Sequence, residues 1–337
     1  MSNKIRIAIN GPGRIGRAII RAIFEEKMHN DFEIVAINGS APIETIKHLL
    51  KYDSVHGAFN HKIEIIDHHL YLDGKKILLL CQRDPKNLNW QALNIDIVFE
   101  CTGAFTKYQD ASLHIAAGAK KVIISAPAKE DDVKTIVYGV NHHNLTKQDK
   151  VISIGSCTTN CLAPIAKVLH DNIGIVKGFM TTIHSYTNDQ NIVDNTHKDL
   201  RRARACALSM IPTSTGAAKA IGLVLPELKG KLDGFAIRVP TPNVSMVDLN
   251  FVAARKTSST EINQLIKKQA SGAMSRVLSY IDEPLVSIDF NHSNISSNFD
   301  ATQTKVIADD MVKVCAWYDN EWAFAVRMLD IAKYWVA

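Results

Sequence analysis

Cys157 stands in the run Ser156-Cys157-Thr158-Thr159-Asn160-Cys161, followed by the helix-like segment Leu162-Ala163-Pro164-Ile165-Ala166. That order puts the thiol in the first turn of a helix, where unpaired N–H groups and the positive dipole end favour thiolate. The position suits a nucleophile. His184 ends the segment Gly178-Phe179-Met180-Thr181-Thr182-Ile183-His184, which reads as a strand. Beside the nucleophile's helix, its imidazole would raise the thiolate fraction and relay the proton of the chemical step. Cys161 would share a helical face with Cys157, but two cysteines without further ligands make a poor zinc site, so Cys161 reads as core and no metal is expected. Thr187, Arg202, Thr213-Ser214-Thr215-Gly216 and Arg238 supply hydroxyl, amide and guanidinium donors, the chemistry that binds phosphate groups. A nucleophilic thiol acting on a phosphorylated compound is the implied chemistry.

A second set of residues points to a nucleotide. Gly11-Pro12-Gly13-Arg14-Ile15-Gly16 follows the apolar strand Ile5-Arg6-Ile7-Ala8-Ile9-Asn10 and precedes helical periodicity from about Arg17 to Lys27. Glycines at Gly11 and Gly13 let backbone approach a pyrophosphate whose charge sits on the helix N-terminus. Pro12 removes one N–H, which leaves the amides of Arg14 and Ile15. The next strand, Glu33-Ile34-Val35-Ala36-Ile37-Asn38, should end in an acid that bonds a ribose 2′-hydroxyl and repels a 2′-phosphate. It ends instead in Asn38-Gly39-Ser40. Without that acid NADP is no longer excluded; a plain glycine turn with NAD bound by other contacts is the alternative.

The elements that must position these groups fall into two halves. The length, 337 residues, is long for a single core. Asp96–Cys101 and Lys121–Ser125 read as further inner strands, and strands alternating with helices imply a doubly wound parallel α/β sheet. After residue 150 the rhythm changes to alternating segments such as Gly234–Val239 and Val247–Val252, which imply a mixed or antiparallel sheet. A long polar stretch, 185–209, precedes them, and loops of that length are usually functional. Glu321–Trp335 reads as an amphipathic docking helix. The formal charge is +5 with dispersed basic residues, which gives no nucleic-acid patch. The run Lys198–Arg204 reads as a solvated face, or as a site for a small anion. No apolar run approaches the ~20 residues of a membrane span. The start at Met1 goes straight into a strand without room for a signal peptide, and six scattered cysteines suit a reducing cytoplasm.

Over essentially its whole length the chain resembles the glyceraldehyde-3-phosphate dehydrogenase family. The resemblance is carried by 156–161, by His184-Ser185-Tyr186-Thr187-Asn188-Asp189-Gln190, by Ile211-Pro212-Thr213-Ser214-Thr215-Gly216, by Arg238-Val239-Pro240-Thr241 and by Trp317-Tyr318-Asp319-Asn320-Glu321-Trp322. It implies a Rossmann-type domain over 1–155, a catalytic α+β domain over 156–318 that includes an S-shaped loop at 185–209, and a helix over 319–337 packing back on the first domain. It implies that Cys157 attacks the aldehyde of glyceraldehyde 3-phosphate, that His184 accepts the proton, and that inorganic phosphate releases 1,3-bisphosphoglycerate. Thr187 and Arg238 would hold the substrate phosphate; Ser156, Thr158, Arg202, Thr215 and Gly216 would serve the attacking phosphate and the reacting end. Asn320 would orient the nicotinamide carboxamide, with Thr102, Gly103 and Ser125 lining the cofactor cleft. A homotetramer is implied, with the S-shaped loop at an interface.

The chain departs from the family's NAD-using pattern at Gly39, where an acid is usual, and at Thr196, where proline is usual. Arg83 matches an arginine of NADP-accepting relatives that could meet a 2′-phosphate, so NADP is expected to be accepted alongside NAD. Ile154-Gly155 and Ala323 also depart, without an evident reason. Leu285–His292, Thr302-Gln303-Thr304 and Phe324-Ala325 resemble the sister erythrose-4-phosphate dehydrogenase, but the segments nearest the substrate, Tyr186-Thr187-Asn188 and Thr213–Gly216, favour the triose phosphate.

Overall fold

The computed structural model describes residues 4–130 and 132–337, so the reading made at Met1–Asn3 lies outside the described residues. The chain forms two units. The first gathers residues through Ile136, His143–Gly155 and Ala325–Ala337; the second comprises Val137–His142 and Ser156–Phe324. Val137–His142 thus goes with the second unit, and 319–324 stays with it. The helix Trp322–Val336 straddles that division.

Among the described residues the first unit has a nine-stranded sheet. Its order is Lys134–Thr135, Val151–Ser153, Lys121–Ile124, Ile97–Glu100, Ile5–Asn10, Phe32–Asn38, Lys75–Leu80, His69–Leu72 and Ile63–Ile66. Ile5–Asn10 runs parallel to both Phe32–Asn38 and Ile97–Glu100. The chain order reverses at this strand, the place where open α/β sheets bind ligands beyond their carboxyl ends. Ile7, Ala8 and Ile9 are fully buried, the pattern of a strand covered on both faces. The helix Arg14–Glu25 begins three residues before the periodicity read from Arg17, its first turn being Arg14-Ile15-Gly16-Arg17. It buries Ala18, Ile19, Ile20, Ala22 and Ile23. The antiparallel edge formed by Ile63–Ile66, His69–Leu72 and Lys75–Leu80 makes this sheet mixed rather than wholly parallel.

The second unit has a seven-stranded sheet in the order Ile211–Ser214, Leu232–Val239, Ile175–Ser185, Ser245–Ala253, Met311–Tyr318, Ser297–Ile307 and Leu278–Ile281. Ile175–Ser185 pairs parallel with Leu232–Val239 and antiparallel with Ser245–Ala253, so this sheet is mixed too. The helix Cys157–Ile173 covers it: Leu162, Ile165 and Leu169 share one core with Met180, Val247, Leu249 and Val314. Parallel register sets His184 beside Arg238. Residues 186–210 form no helix or strand.

Candidate active site

Ser156, in extended backbone, caps the helix Cys157–Ile173: its Oγ accepts the Thr159 amide at 3.0 Å. Cys157 is therefore the first helical residue, and its Sγ lies 3.5 Å from His184 Nε2. His184 Nδ1 is 2.7 Å from the Ser185 carbonyl. A carbonyl can only accept, so Nδ1 carries the proton and Nε2 turns its lone pair to the thiol. Arg238 Nη1 donates to the same carbonyl at 2.9 Å. Its equal distance from Nδ1 is then two donors sharing one acceptor. Burial first, and the Arg238 charge second, hold the imidazole down to about 3, so it is neutral near pH 7.

The thiol behaves less simply than a helix terminus alone predicts. Burial pushes it up, while Arg238 and the amides of Thr158 and Cys157 pull it down. Cys157 is half-buried rather than sealed, so water tempers that rise. The pair rests as S–H facing a neutral imidazole, with a proton path already laid. Cys161 is buried beside Ser297 and Ala316 and belongs to the core.

The other donors fall into two groups. Thr158 stays with the pair, but its hydroxyl is buried against the Tyr318 hydroxyl at 2.8 Å, which also meets Thr182 Oγ1 at 2.9 Å. Both the amide and the hydroxyl of Thr158 also act on the Cys157 thiol. Arg202 is engaged: its Nε donates to Thr213 Oγ1 at 2.7 Å and its guanidinium pairs with Asp189 and Asp199. Thr215 accepts the Ala217 amide at 3.2 Å, and Gly216 precedes the helix Ala217–Val224. The Thr187 amide donates to Gln190 Oε1 at 3.1 Å. Arg238 lies within reach of the Arg202 charge, which adds to burial in lowering its own ionisation. Its Nε is buried without a partner among the described residues.

Asn320, 7% exposed, accepts on Oδ1 from Ser185 Oγ at 2.8 Å and from Ser245 Oγ at 2.9 Å. Ser185, Ser245 and Tyr318 escape a reading by residue type, since serines and tyrosines are common. For Ser185 and Tyr318 the nearby His184 and Asn320 were the available signal, whereas Ser245 has no such neighbour in sequence. Val244, just before Ser245, is buried with φ +68, a left-handed conformation that costs a β-branched residue about 1–3 kcal/mol.

In the first unit, the nucleotide-type residues stand at the carboxyl ends of neighbouring strands. Gly11 has φ +99, and a Cβ there would lie 2.9 Å from the Cys101 carbonyl carbon and the Thr102 amide nitrogen. A Cβ on Gly16 would lie 2.3 Å from the Gly11 carbonyl. Gly13 opens the helix Arg14–Glu25 with no side-chain cap, which places the turn at the positive end of that helix. These features fit a dinucleotide's pyrophosphate. The Arg14 side chain turns elsewhere and grips Asp53 with two hydrogen bonds, at 2.5 and 3.1 Å. Gly103, with φ +74, follows Thr102, and the Ser125 amide donates to the Glu100 carbonyl at 3.0 Å.

A buried network beneath this edge was not foreseen. Glu100 accepts from Asn10 Nδ2 at 2.5 Å, from His114 Nε2 at 3.1 Å and from the amide and hydroxyl of Thr102. Trp90 donates to His114 Nδ1 at 3.0 Å, so the His114 proton is on Nε2, facing Glu100. Asn38 Nδ2 donates to Asn10 Oδ1 at 2.6 Å, and Asn38 Oδ1 accepts the Gln82 amide at 2.9 Å. The loop carrying the exposed Arg83 is thereby fastened beside Gly39, whose amide donates to the Leu80 carbonyl. A Cβ on Gly39 would lie 2.4 Å from Pro12 Cδ. Thr196 is exposed in the 186–210 segment.

Comparison with known proteins agrees with this geometry in both halves. Residues 5–108 match the glyceraldehyde 3-phosphate dehydrogenase NAD binding domain, and residues 156–320 match the C-terminal domain of the same family. A plasmid-borne glyceraldehyde-3-phosphate dehydrogenase of Cupriavidus necator is 56% identical over 328 residues, 97% of each chain. The Geobacillus stearothermophilus enzyme of that name is 54% identical over 331 residues, 98% of each chain. A chloroplastic glyceraldehyde-3-phosphate dehydrogenase A of Chlamydomonas reinhardtii is 52% identical over 339 residues, covering 99% of this chain and 90% of the relative. Matched in both halves and more than half identical along nearly all its length, the chain belongs to the glyceraldehyde-3-phosphate dehydrogenase family.

Proposed function

We propose that the protein oxidises D-glyceraldehyde 3-phosphate, with inorganic phosphate, to 1,3-bisphosphoglycerate. The observation that carries this reading is the Cys157–His184 pair with Arg238 fastened to the Ser185 carbonyl beside it. Thr187 and Arg238 hold the substrate phosphate, which sets the aldehyde carbon against Sγ. As Sγ adds to that carbon, Nε2 takes the thiol proton and delivers it to the carbonyl oxygen, giving a thiohemiacetal on Cys157. The Cys157 amide and the imidazole stabilise that oxygen while it carries charge. When bound, the nicotinamide supplies the hydride acceptor. Nε2 removes the hydroxyl proton as the thioester forms on Cys157. Phosphate, met by Ser156, the Thr158 amide, Arg202, Thr215 and Gly216, then takes the acyl group and frees the thiol.

Gly11, Gly13, Arg14, Ile15, Thr102, Gly103 and Ser125 hold the dinucleotide, and Asn320 orients the carboxamide. Gly39, Thr196 and Arg83 support NADP as an accepted cofactor, with NAD also used: position 39 brings no carboxylate, and Arg83 is exposed on the loop fastened beside it. Erythrose 4-phosphate lacks comparable support, because the relatives described above carry the triose-phosphate name. A homotetramer is supported by large apolar side chains exposed in or just after the 185–209 segment, among them Ile192 at 77%, Leu200 at 83% and Leu208 at 88%. The cysteines, all free among the described residues, fit a cytoplasmic setting.

Initial rates of the purified protein with both aldehyde phosphates and both cofactors test this reading. Faster acylation by erythrose 4-phosphate overturns the substrate assignment. A preference for NAD above about a hundredfold in kcat/KM overturns the cofactor assignment.

A further inference from the structure

Ser245 connects two sets of groups that the reaction uses. Its Oγ donates to Asn320 Oδ1 at 2.9 Å and accepts the Ser185 amide at 3.1 Å. Ser185 Oγ donates to the same Asn320 oxygen at 2.8 Å, while the Ser185 carbonyl holds His184 Nδ1 and Arg238 Nη1. Ser185 and Ser245 are buried to 0 and 1% exposure, so these bonds have no competing water. Two hydroxyl donors on one oxygen fix the Asn320 amide and leave its Nδ2 protons for a ligand.

The strained Val244 is explained by the same contacts. Asn243 Nδ2 donates to Asp319 Oδ2 at 2.8 Å, so the residues flanking Val244 grip the consecutive residues Asp319 and Asn320. Asp319 Oδ1 in turn accepts the Glu321 and Trp322 amides at 2.9 and 2.7 Å. A conformation that would otherwise relax is over-determined by this clamp.

We propose that Ser245, held in place by the left-handed Val244, is a positioning residue for hydride transfer. It locks the Asn320 amide in register with the strand end that carries His184, so one hydrogen-bonded unit sets both the carboxamide holder and the base. Ser245 acts through Asn320 and Ser185, and its role rests on the reading of Asn320 as the carboxamide's holder.

Calorimetric titration of the intact protein with the full dinucleotide and with ADP-ribose, which lacks the nicotinamide, tests this. Ser245→Ala should weaken the dinucleotide about three- to tenfold, the worth of one buried hydrogen bond, and leave ADP-ribose affinity unchanged. Ser245→Thr, which keeps the hydroxyl, should regain dinucleotide affinity. Ser185→Ala, which keeps the backbone carbonyl, should resemble Ser245→Ala, and the double variant should lose more than the product of the two. Equal weakening of both ligands by Ser245→Ala, or no weakening, overturns the positioning role. If Asn320→Ala weakens only the dinucleotide while Ser245→Ala does not, the positioning role falls and the carboxamide reading stands. If Asn320→Ala itself treats the two ligands alike, the carboxamide reading falls.

Discussion

His184 Nε2 lies 3.5 Å from Cys157 Sγ, and the imidazole proton is committed to the Ser185 carbonyl on its far side. The imidazole therefore meets the thiol with a lone pair and cannot turn over without losing a buried hydrogen bond.

His184→Asn keeps a side chain of similar reach but removes the proton acceptor. The acylation rate should fall by roughly 10²–10⁴-fold, the range for loss of a positioned general base. Rapid-quench measurement of thioester formation reads the step directly. An acylation rate within a few-fold of the unmodified protein would place the base elsewhere.

Arg238 is a cation beside a thiol that burial pushes up. Thiolate is the charged form, so removing the neighbouring positive charge disfavours it. Arg238→Gln should shift the pH profile of Cys157 alkylation to higher pH. The same variant should raise KM for the aldehyde phosphate about ten- to a hundredfold, because a charge-assisted hydrogen bond is worth about 1.5–3 kcal/mol. An alkylation profile that stays in place or moves to lower pH would contradict this electrostatic reading.

Cys157, His184 and Arg238 were legible because their types are chemically specific and because local pattern fixes where they fall. A capped helix start and two strands suffice to bring them together. The same logic placed Gly11 and Gly13 at the end of the first strand. Three things were out of reach. The antiparallel edge 63–80 depends on pairing between segments with no strong alternation of their own. Glu100 falls in a segment that reads as an inner strand, but nothing in the sequence ties its carboxylate to His114, and only the fold closes the two into a buried network with Trp90. The thiol's state depends on a balance between burial and Arg238, and helix position gives only one side of it.

Pro12 and Gly39 constrain each other. The ring of Pro12 occupies the space a Cβ at 39 would need, 2.4 Å from its Cδ. Gly39→Asp alone should therefore displace the Gly11–Gly13 turn and weaken both cofactors. With Pro12→Ala also present, the carboxylate can be accommodated and should repel a 2′-phosphate. The ratio of kcat/KM for NAD over NADP should then rise by about tenfold or more, the effect of placing a like charge against one of two competing ligands. Steady-state kinetics of the single and double variants check this, and an unchanged ratio in the double variant would remove position 39 from cofactor choice.

Arg14 and Asp53 join the start of the nucleotide-type helix to the segment that follows the helix Ile43–Lys51. Burial pushes the Asp53 carboxyl up, but Arg14 and the amides of Val55 and His56 more than offset it, and the group is held down to about 2. The Asp53 side chain is 6% exposed and that of Arg14 28%, so solvent screens the pair little. A folded value below the unfolded value near 4 stabilises the fold above that value, and the stabilisation is lost as pH falls toward 2. The shift corresponds to about 2 kcal/mol at neutral pH, since one pKa unit is about 1.4 kcal/mol. Asp53→Asn should therefore lower stability most at pH 6, and the gap to the unmodified protein should shrink by about half near pH 3. Urea unfolding followed by Trp90, fully buried in the first unit, reads this difference across the acid range. A gap that stays constant from pH 6 to pH 3 would mean that the Asp53 charge contributes nothing and that its amide contacts alone hold the segment.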